Sequence, residues 1–269
     1  MTVTNAAQTE QWNGPTGDFW ARHAERYERT LGVLTPHLIR GAALGAGDRV
    51  LDVGCGCGAT TRRAAEQAAS AHGVDLSAPM LAEARRAADG MRNVTFAQAD
   101  AQVDRLDPAD VAISRLGVMF FEDPLAAFTN LRRTAARLAF VCWAALSDNE
   151  HRMMERAALA PHVPMPAPRT DGGPGAFSLA DPDRTRKLLR NAGFTTVELE
   201  EIREPLTLGS TAAEATGFKL SDPTVQGWFT EAGPEAAARA TEALHRAYQE
   251  HETRSGVQFD STVWLVTAN

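Results

Sequence analysis

Two acidic residues and a run of glycines are spaced so that together they could hold a small polar ligand. In Leu51-Asp52-Val53-Gly54-Cys55-Gly56-Cys57-Gly58, an acid precedes glycines at every second position. Glycine reaches positive φ and lets the backbone approach a ligand, and a helix starting after the run would present free N–H groups. A second acid, Asp75, follows roughly 20 residues later, at the spacing of a group that accepts hydrogen bonds from ribose hydroxyls. These residues predict a site for a nucleoside-containing ligand.

The glycine run alone leaves two classes of ligand open. Gly54-x-Gly56-x-x-Ala59 also satisfies the relaxed dinucleotide fingerprint of an NAD(P)-dependent reductase. However, the charge of Asp52 would repel a pyrophosphate and would suit a ligand that carries an ammonium or sulfonium. The segment Ala97-Gln98-Ala99-Asp100-Ala101 adds an acid among small residues after a third predicted strand, and no Ser/Tyr/Lys set for hydride transfer is evident. These three observations disfavour the reductase.

With these motifs the chain resembles the class I S-adenosylmethionine-dependent methyltransferases, in particular the branch with the ubiquinone and menaquinone biosynthesis methyltransferases. The resemblance runs from about Val50 to Trp143, with Cys57 standing where many members carry threonine. It implies that the cofactor is S-adenosyl-L-methionine. The cofactor contacts that it implies are Trp20, Asp52, Gly54, Cys55, Gly56, Gly58, Asp75, Leu76, Met80, Asp100, Ala101, Ser114 and Arg115.

The resemblance also implies a role for each motif. The first motif, with Asp52, would hold the methionine end of the cofactor, and Asp75 would bind the ribose. The apolar residues that follow Asp75 would lie along the adenine, with Asp100-Ala101 at its edge. The stretch Asp110 to Arg115 is similar to the fourth strand and the loop that closes on the cofactor.

Strand and helix patterns alternate along the first half of the chain, which predicts a parallel, doubly wound α/β sheet with its ligand at the carboxyl ends of the strands. Ser77 is a plausible N-cap of a helix over Ala78 to Ala88, and Leu138 to Trp143 reads as the fifth strand. By resemblance, Ser261 to Ala268 would insert antiparallel beside that strand. The expected fold is therefore a Rossmann-like, mostly parallel seven-stranded sheet with the last strand antiparallel.

Segments outside this alternation are expected to form a helical cap over the sheet. Aromatic residues are dense from Trp12 to Leu38, either as a helix packed on the edge of the sheet or as a lid over the cofactor, whereas Met1 to Glu10 show no apolar periodicity and are expected to be disordered. The predicted organisation is an N-terminal helical lid (1–45), a cofactor-binding core (46–146), a cap insertion (147–180), a core helix and strand (181–208), a second cap insertion (209–256) and a final core strand (257–269).

Methyl transfer from a sulfonium requires mainly alignment of the reacting atoms and exclusion of water, with a base if the acceptor must lose a proton. The candidate catalytic groups are His23, Tyr27 and His151, each of which could equally be an ordinary core or loop residue. Cys55 and Cys57 lack a second Cys/His pair, so no metal site is predicted.

Composition limits the possible partners. The net charge of −7 argues against a nucleic-acid substrate, and no apolar run approaches membrane-spanning length. Three cysteines and a polar N-terminus predict a cytoplasmic protein. The predicted function is methyl transfer to a small, largely apolar molecule of secondary metabolism. A non-methylating protein that binds the cofactor, such as a cyclase, stays open, as do the acceptor, the methylated atom and the oligomeric state.

Overall fold

The structure is a computed structural model that describes residues 5–169 and 173–269. The described chain divides into two compact units. The first contains residues 5–144, 173–202 and 263–269, and the second contains Ala145–Arg169 and Arg203–Thr262. Two of the four boundaries, 202/203 and 262/263, fall within long strands, so each of these strands contributes residues to both units.

A mixed sheet organises the strands of the chain. The strands are β1 (Arg49–Val53), β2 (Ser70–Asp75), β3 (Val94–Gln98), β4 (Ala109–Arg115), β5 (Ala135–Trp143), β6 (Val197–Gly209), β7 (Glu252–Thr253) and β8 (Gly256–Ala268). Their order is β3-β2-β1-β4-β5-β8-β6, and the short β7 pairs with β8. β1 to β5 are joined by parallel pairs, whereas β8 is antiparallel to β5. The predicted Rossmann-like fold with an antiparallel last strand is confirmed, and β7 is an additional strand.

Apolar burial explains the centre of this sheet. Val50, Leu51 and Val53 on β1 are each 2% exposed, and Val111, Ala112 and Ile113 on β4 are completely buried. A parallel strand covered on both faces requires such a continuous apolar run. Asp52 is an acidic side chain inside this run and is also completely buried, which sets it apart from the surrounding core.

The helices of the first unit are α1 (Ala6–Trp12), α2 (Pro15–Arg22), α3 (Ala24–Leu31), α4 (Thr35–Ala42), α5 (Ala59–Ala65), α6 (Ala78–Ala87), α7 (Pro124–Thr134) and α9 (Pro182–Asn191). The predicted cap of α6 is confirmed, because Ser77 Oγ accepts a hydrogen bond from the Met80 N–H. Asp123 and Asp181 cap α7 and α9 in the same way. These caps satisfy N–H groups that have no partner within the helix.

The expectation of disorder over Met1 to Glu10 is wrong for the part that the structure describes, and residues 1–4 lie outside it. Helix α1 begins at Ala6. It lacks an apolar stripe, but Asn5 just before it is bound to Asp100 and the Trp12 ring packs against Phe120 with centroids 5.6 Å apart. Tertiary contacts therefore stabilise a segment that its own periodicity does not predict.

The second unit contains α8 (Glu150–Leu159), α10 (Ala212–Ser221), α11 (Pro223–Ala232) and α12 (Pro234–Glu250). Its buried core consists of Leu159, Val163, Ala212, Ala215, Ala240, Leu244, Tyr248, Val257 and Phe259. Pro234 is the first residue of α12, where its missing N–H costs no helix hydrogen bond. Within the described part of the chain, no helix combines the length and the apolar character needed to cross a membrane.

Candidate functional site

The turn after β1 brings the backbone into close contact with its surroundings. Gly54, Gly56 and Gly58 have φ values of +64°, +53° and +75°. A Cβ atom at Gly54 would lie 2.8 Å from the Cα of Gly117, and one at Gly56 would lie 2.8 Å from Cε of Met80. Side chains cannot be accommodated here without movement, so the sequence must supply glycine. The turn then leads directly into the N-terminus of α5, as predicted.

Asp75 at the end of β2 fixes this turn. One of its carboxylate oxygens accepts a hydrogen bond from the Gly56 N–H at 2.8 Å, and the other accepts one from the Ser77 N–H at 2.8 Å. Burial raises the pKa of Asp75, although the N–H groups of Ser77, Gly56 and Leu76 oppose this shift. Each carboxylate oxygen can accept a further hydrogen bond. Asp75 thus supports the glycine turn and retains acceptor capacity for a hydroxyl-bearing ligand.

The Asp52 side chain is hydrogen-bonded to one residue of α5. Its Oδ2 accepts a hydrogen bond from the Thr61 hydroxyl at 2.6 Å. Its Oδ1 is buried and has no hydrogen-bond partner among the described residues. Burial raises the pKa of Asp52 to about 7, against the hydroxyl of Thr61 and the charge of Arg115, which both lower it. A buried carboxylate with an unpaired oxygen would be stabilised by a cationic ligand group.

Asp100, the predicted adenine-edge acid, is bound by the N-terminal segment. Its Oδ1 accepts hydrogen bonds from the Asn5 side-chain amide at 2.7 Å and from the Gln102 N–H at 2.9 Å. Asn5 also accepts a hydrogen bond from the Glu122 N–H at 2.9 Å. The neighbouring Ala101 is buried, and its carbonyl accepts a hydrogen bond from Asn130. Asn5 therefore links the residues that follow β3 to those that follow β4.

Three further predicted contacts lie around the same edge of the sheet. The Leu76 carbonyl accepts hydrogen bonds from Asn13 at 2.9 Å and Gln98 at 2.8 Å. Met80 is buried on α6, with its methyl group close to Gly56. Ser114 is buried near the end of β4, where its hydroxyl accepts a hydrogen bond from the Gly117 N–H at 3.3 Å.

Arg115 connects the end of β4 to the N-terminal helices. Its guanidinium donates to both carboxylate oxygens of Glu28, at 3.0 and 2.5 Å, and to the Thr35 hydroxyl at 2.6 Å. Only 13% of the Arg115 side chain is exposed. The next residue, Leu116, has a φ of +63°, an unfavourable backbone conformation for a non-glycine residue. A strained, ion-paired loop thus faces the glycine turn through Gly117.

Aromatic side chains of the N-terminal helices form one cluster. The Trp20 ring stacks on Tyr27 with centroids 3.6 Å apart and meets Trp12 edge-on at 6.0 Å. The ring of Phe19 contacts both His23, at 4.4 Å, and Tyr27, at 6.4 Å. Burial and the adjacent Arg22 and Arg26 lower the pKa of His23. The structure therefore brings together three of the predicted residues, Trp20, His23 and Tyr27.

His151, the third catalytic candidate, belongs to the second unit. It is 4% exposed on α8, and burial, followed by the charge of Arg152, lowers its pKa to about 3. A histidine with this pKa is a weak base near neutral pH. Its catalytic assignment stays a prediction, and its burial favours a structural role.

The cysteines of the turn remain thiols. Burial raises the pKa of Cys57 to about 12 and that of Cys55 well above its usual range. Thiolate is the form that binds metal. Across residues 5–169 and 173–269, no group of three or more His, Cys, Asp or Glu side chains is arranged to hold a metal ion.

Sequence reasoning missed the residues that orient the predicted ones, namely Thr61, Asn5 and Glu28. Thr61 offers a usable signal, because a hydroxyl in the first turn of the helix after the glycines lies close to the preceding strand. Asn5 and Glu28 offer none, because their partners Asp100 and Arg115 are 95 and 87 residues away.

These observations fit a ligand that combines a nucleoside with a cationic group. Asp75 retains acceptor capacity for ribose hydroxyls, and the unpaired oxygen of Asp52 would accept a hydrogen bond from an ammonium group. Gly54, Gly56 and Gly58 have no Cβ atom, so a ligand can approach the backbone of this turn closely. S-adenosylmethionine has both of these chemical features.

The sequence comparisons agree with this geometry. Residues 50–137 match the family described as a methyltransferase domain. The aklanonic acid methyltransferase DauC of Streptomyces sp. (strain C5) is 36% identical over 105 residues, which cover 35% of this chain and 47% of the relative. The demethylmenaquinone methyltransferase of Tropheryma whipplei (strain Twist) is 42% identical over 83 residues, or 28% of this chain and 35% of the relative. The matches thus cover less than half of either relative's length and support the menaquinone branch only weakly.

A solved structure extends the similarity of fold over most of the chain. The YcgJ protein of Bacillus subtilis superposes with a TM-score of 0.58, covering 88% of this chain and 97% of that protein. The two sequences are 16% identical, so this similarity concerns the fold alone.

Proposed function

We propose that the protein is an S-adenosylmethionine-dependent methyltransferase that methylates a small, largely apolar molecule of secondary metabolism, on the premise that residues 50–137 match a methyltransferase domain. The observation that carries the proposal is the buried Asp52, with one unpaired oxygen, beside the glycine turn that Asp75 supports. The apolar acceptor is supported by the aromatic cluster of the N-terminal helices. DauC, by its name, acts on aklanonic acid, which is consistent with a small-molecule acceptor.

When bound, S-adenosylmethionine would supply a methyl group activated by a sulfonium. In this proposal, Asp75 accepts hydrogen bonds from the ribose and Asp52 accepts one from the α-ammonium. The methionine end would lie along the turn formed by Gly54, Cys55, Gly56 and Gly58, where the three glycines have no side chain. Alignment of this kind contributes about 7–11 kcal/mol when the reacting groups are held at near-attack distance.

The remaining predicted contacts would define the other end of the cofactor site. Leu76 and Met80 lie along the adenine in this proposal, with Asp100 and Ala101 at its edge. Asp100 already accepts hydrogen bonds from Asn5 and Gln102. Any adenine contact must therefore share this carboxylate with the N-terminal segment.

We further propose that residues 5–45 act as a lid on this site. Four contacts support the proposal, because they join the segment to the residues after β2, β3 and β4: Asn5 to Asp100, Ser77 Oγ to the Trp12 carbonyl at 2.7 Å, Asn13 to Leu76, and Arg115 to Glu28. Closure would exclude water from the reacting atoms. Ser114 and Arg115 would then anchor the loop beneath the lid.

If the acceptor must lose a proton, His23 is the candidate base that the environment favours most. Burial and the adjacent arginines lower its pKa, which favours the neutral imidazole, the form that can accept a proton. Tyr27 shares the same aromatic cluster and remains the second candidate. The helical cap expected from the two insertions stays a prediction.

Incubation of the purified protein with S-adenosylmethionine and a panel of small apolar hydroxylated or aminated compounds tests this function. Mass spectrometry should detect S-adenosylhomocysteine together with a product heavier by one methyl group. Conversion of an acceptor without formation of S-adenosylhomocysteine would indicate the non-methylating alternative. Binding of NAD(P) in place of S-adenosylmethionine would contradict the proposal.

A further inference from the structure

The carboxyl group of Asp52 is unusual because it is completely buried and only one of its two oxygens has a hydrogen-bond partner. Oδ2 is bound by the Thr61 hydroxyl at 2.6 Å, whereas Oδ1 has no hydrogen-bond partner among the described residues. Thr61 is itself completely buried at the start of α5. Buried polar atoms in native structures are nearly always paired, so an exception calls for a functional explanation.

The charged groups around Asp52 come from the strands on either side of it. Arg115 at the end of β4 favours the ionised carboxylate, and Asp75 at the end of β2 disfavours it. The hydroxyl and backbone N–H of Thr61 also favour the ionised form, but burial outweighs these contributions and raises the pKa of Asp52 to about 7. In the free protein, burial therefore favours the protonated form of Asp52 toward neutral pH.

We infer that Thr61 is a positioning residue that holds Asp52 through Oδ2 and leaves Oδ1 for the cationic end of the cofactor, so that binding is accompanied by release of the Asp52 proton. This inference rests on the proposed function. The exchange is balanced: the neutral carboxyl group loses one proton to solvent, and the resulting carboxylate pairs with the α-ammonium of the ligand. No co-reactant is needed.

The inference predicts a specific dependence of affinity on pH. Below the pKa of Asp52 in the free protein, the ligand must displace a proton, so affinity falls as pH falls. From pH 8 to pH 6 the loss should approach about tenfold. The ligand's own ammonium stays charged across this range.

The test is calorimetric titration with S-adenosylhomocysteine at pH 6, 7 and 8, in two buffers of different ionisation enthalpy. Wild-type protein should bind about tenfold more weakly at pH 6 than at pH 8 and release about half a proton at pH 7. Thr61→Val removes the hydroxyl and keeps the shape of the side chain. It should lower affinity by about tenfold at pH 8 and move the pH midpoint upward, because a donor to the carboxylate is lost.

Two matched variants serve as controls. Thr61→Ser keeps a hydroxyl and should retain the wild-type pH profile, with affinity within about threefold. Thr185→Val removes another completely buried hydroxyl, which binds the Leu179 carbonyl at 3.0 Å. It should leave both affinity and pH profile unchanged. Circular dichroism should show that each variant is folded.

The outcomes separate this inference from the proposed function. Wild-type binding that does not change with pH and releases no proton would overturn the inference even if Thr61→Val failed to fold. A folded Thr61→Val protein with wild-type affinity and pH profile would overturn it as well. Absence of binding by wild-type protein at every pH would instead overturn the proposed function, and the inference with it.

Discussion

The two units each bury an acidic side chain, and they satisfy it in opposite ways. In the first unit, Asp52 has one oxygen bound by Thr61 and one unpaired, and burial raises its pKa to about 7. In the second unit, Glu155 accepts hydrogen bonds from the Tyr248 hydroxyl at 2.9 Å and the Lys219 ammonium at 2.6 Å. Burial would raise the pKa of Glu155 too, but the charges of Lys219 and its neighbours lower it to about 2.

This difference distinguishes a structural acid from a ligand-binding one. The fold itself satisfies both oxygens of Glu155, so a ligand has little to add there. Asp52 is left with an unsatisfied oxygen at the carboxyl end of a central strand, where ligands of doubly wound sheets bind. Under the proposed function, burial alone would not identify the ligand-binding acid, whereas burial with incomplete pairing would.

Removal of the cation beside Glu155 should have the largest effect on stability. Lys219→Met leaves the carboxylate buried without its main counter-charge, and breaking such a pair costs about 3–5 kcal/mol of unfolding free energy. Urea unfolding monitored by circular dichroism measures this loss. Lys187→Met is the matched control, because Lys187 is the other lysine of the chain and is exposed on α9. Equal unfolding free energies of the two variants would contradict a structural role for Glu155.

The pH dependence of stability should have opposite signs for the two acids. The pKa of Glu155 is lower in the folded protein than in the unfolded chain, so its contribution is present above the unfolded value of about 4.3 and is lost as pH falls toward about 2. The pKa of Asp52 is higher when folded, so its contribution to stability decreases as pH rises from about 3.9 through about 7.

Asp52→Asn should separate stability from binding. Because the amide cannot ionise, the variant should lose less stability than wild type between pH 6 and pH 8 in urea unfolding. Its affinity for S-adenosylhomocysteine should fall by about 10–100-fold at pH 8, since a charged hydrogen bond contributes about 1.5–3 kcal/mol. If the variant bound like wild type, Asp52 would be another structural acid, and the contrast with Glu155 would fail.

The sequence was informative where local chemistry decides the structure. The glycine turn requires positive φ at three positions, and Ser77 caps α6 through the Met80 N–H three residues on. Asp75 was identifiable because it ends the next strand. All of these features depend on near neighbours in the chain, and the alternation of strands and helices then gave the parallel sheet.

Features that depend on distant partners could not be read in the same way. Helix α1 has no apolar stripe, and its anchor is the bond between Asn5 and Asp100, 95 residues apart. The pairing of Glu155 with Tyr248 joins helices that are 93 residues apart in the chain. The composition of either segment contains no sign of these pairs, so the structure was needed to distinguish the two acids.

The smallest predicted effect concerns the anchoring of the lid. Asn5→Ala removes the side-chain bonds to Asp100 and Glu122, each worth about 0.5–1.5 kcal/mol. Limited proteolysis should then cleave the N-terminal segment faster, and S-adenosylhomocysteine should protect it less than in wild type. Asn13→Ala is a useful comparison, because it removes the bonds to Leu76 and Ala78 instead. Wild-type cleavage rates in both variants would contradict the lid and would indicate that α1 and α2 have only a structural role.

The central claim is that S-adenosylmethionine binds at the glycine turn through Asp75 and Asp52. Calorimetric titration of wild type and Asp75→Ala with S-adenosylhomocysteine tests it most directly. Wild type should bind one equivalent, and the folded variant should bind at least about tenfold more weakly, because a charged acceptor for the ribose is lost. No binding by wild type, or equal affinity of a folded Asp75→Ala protein, would contradict the claim.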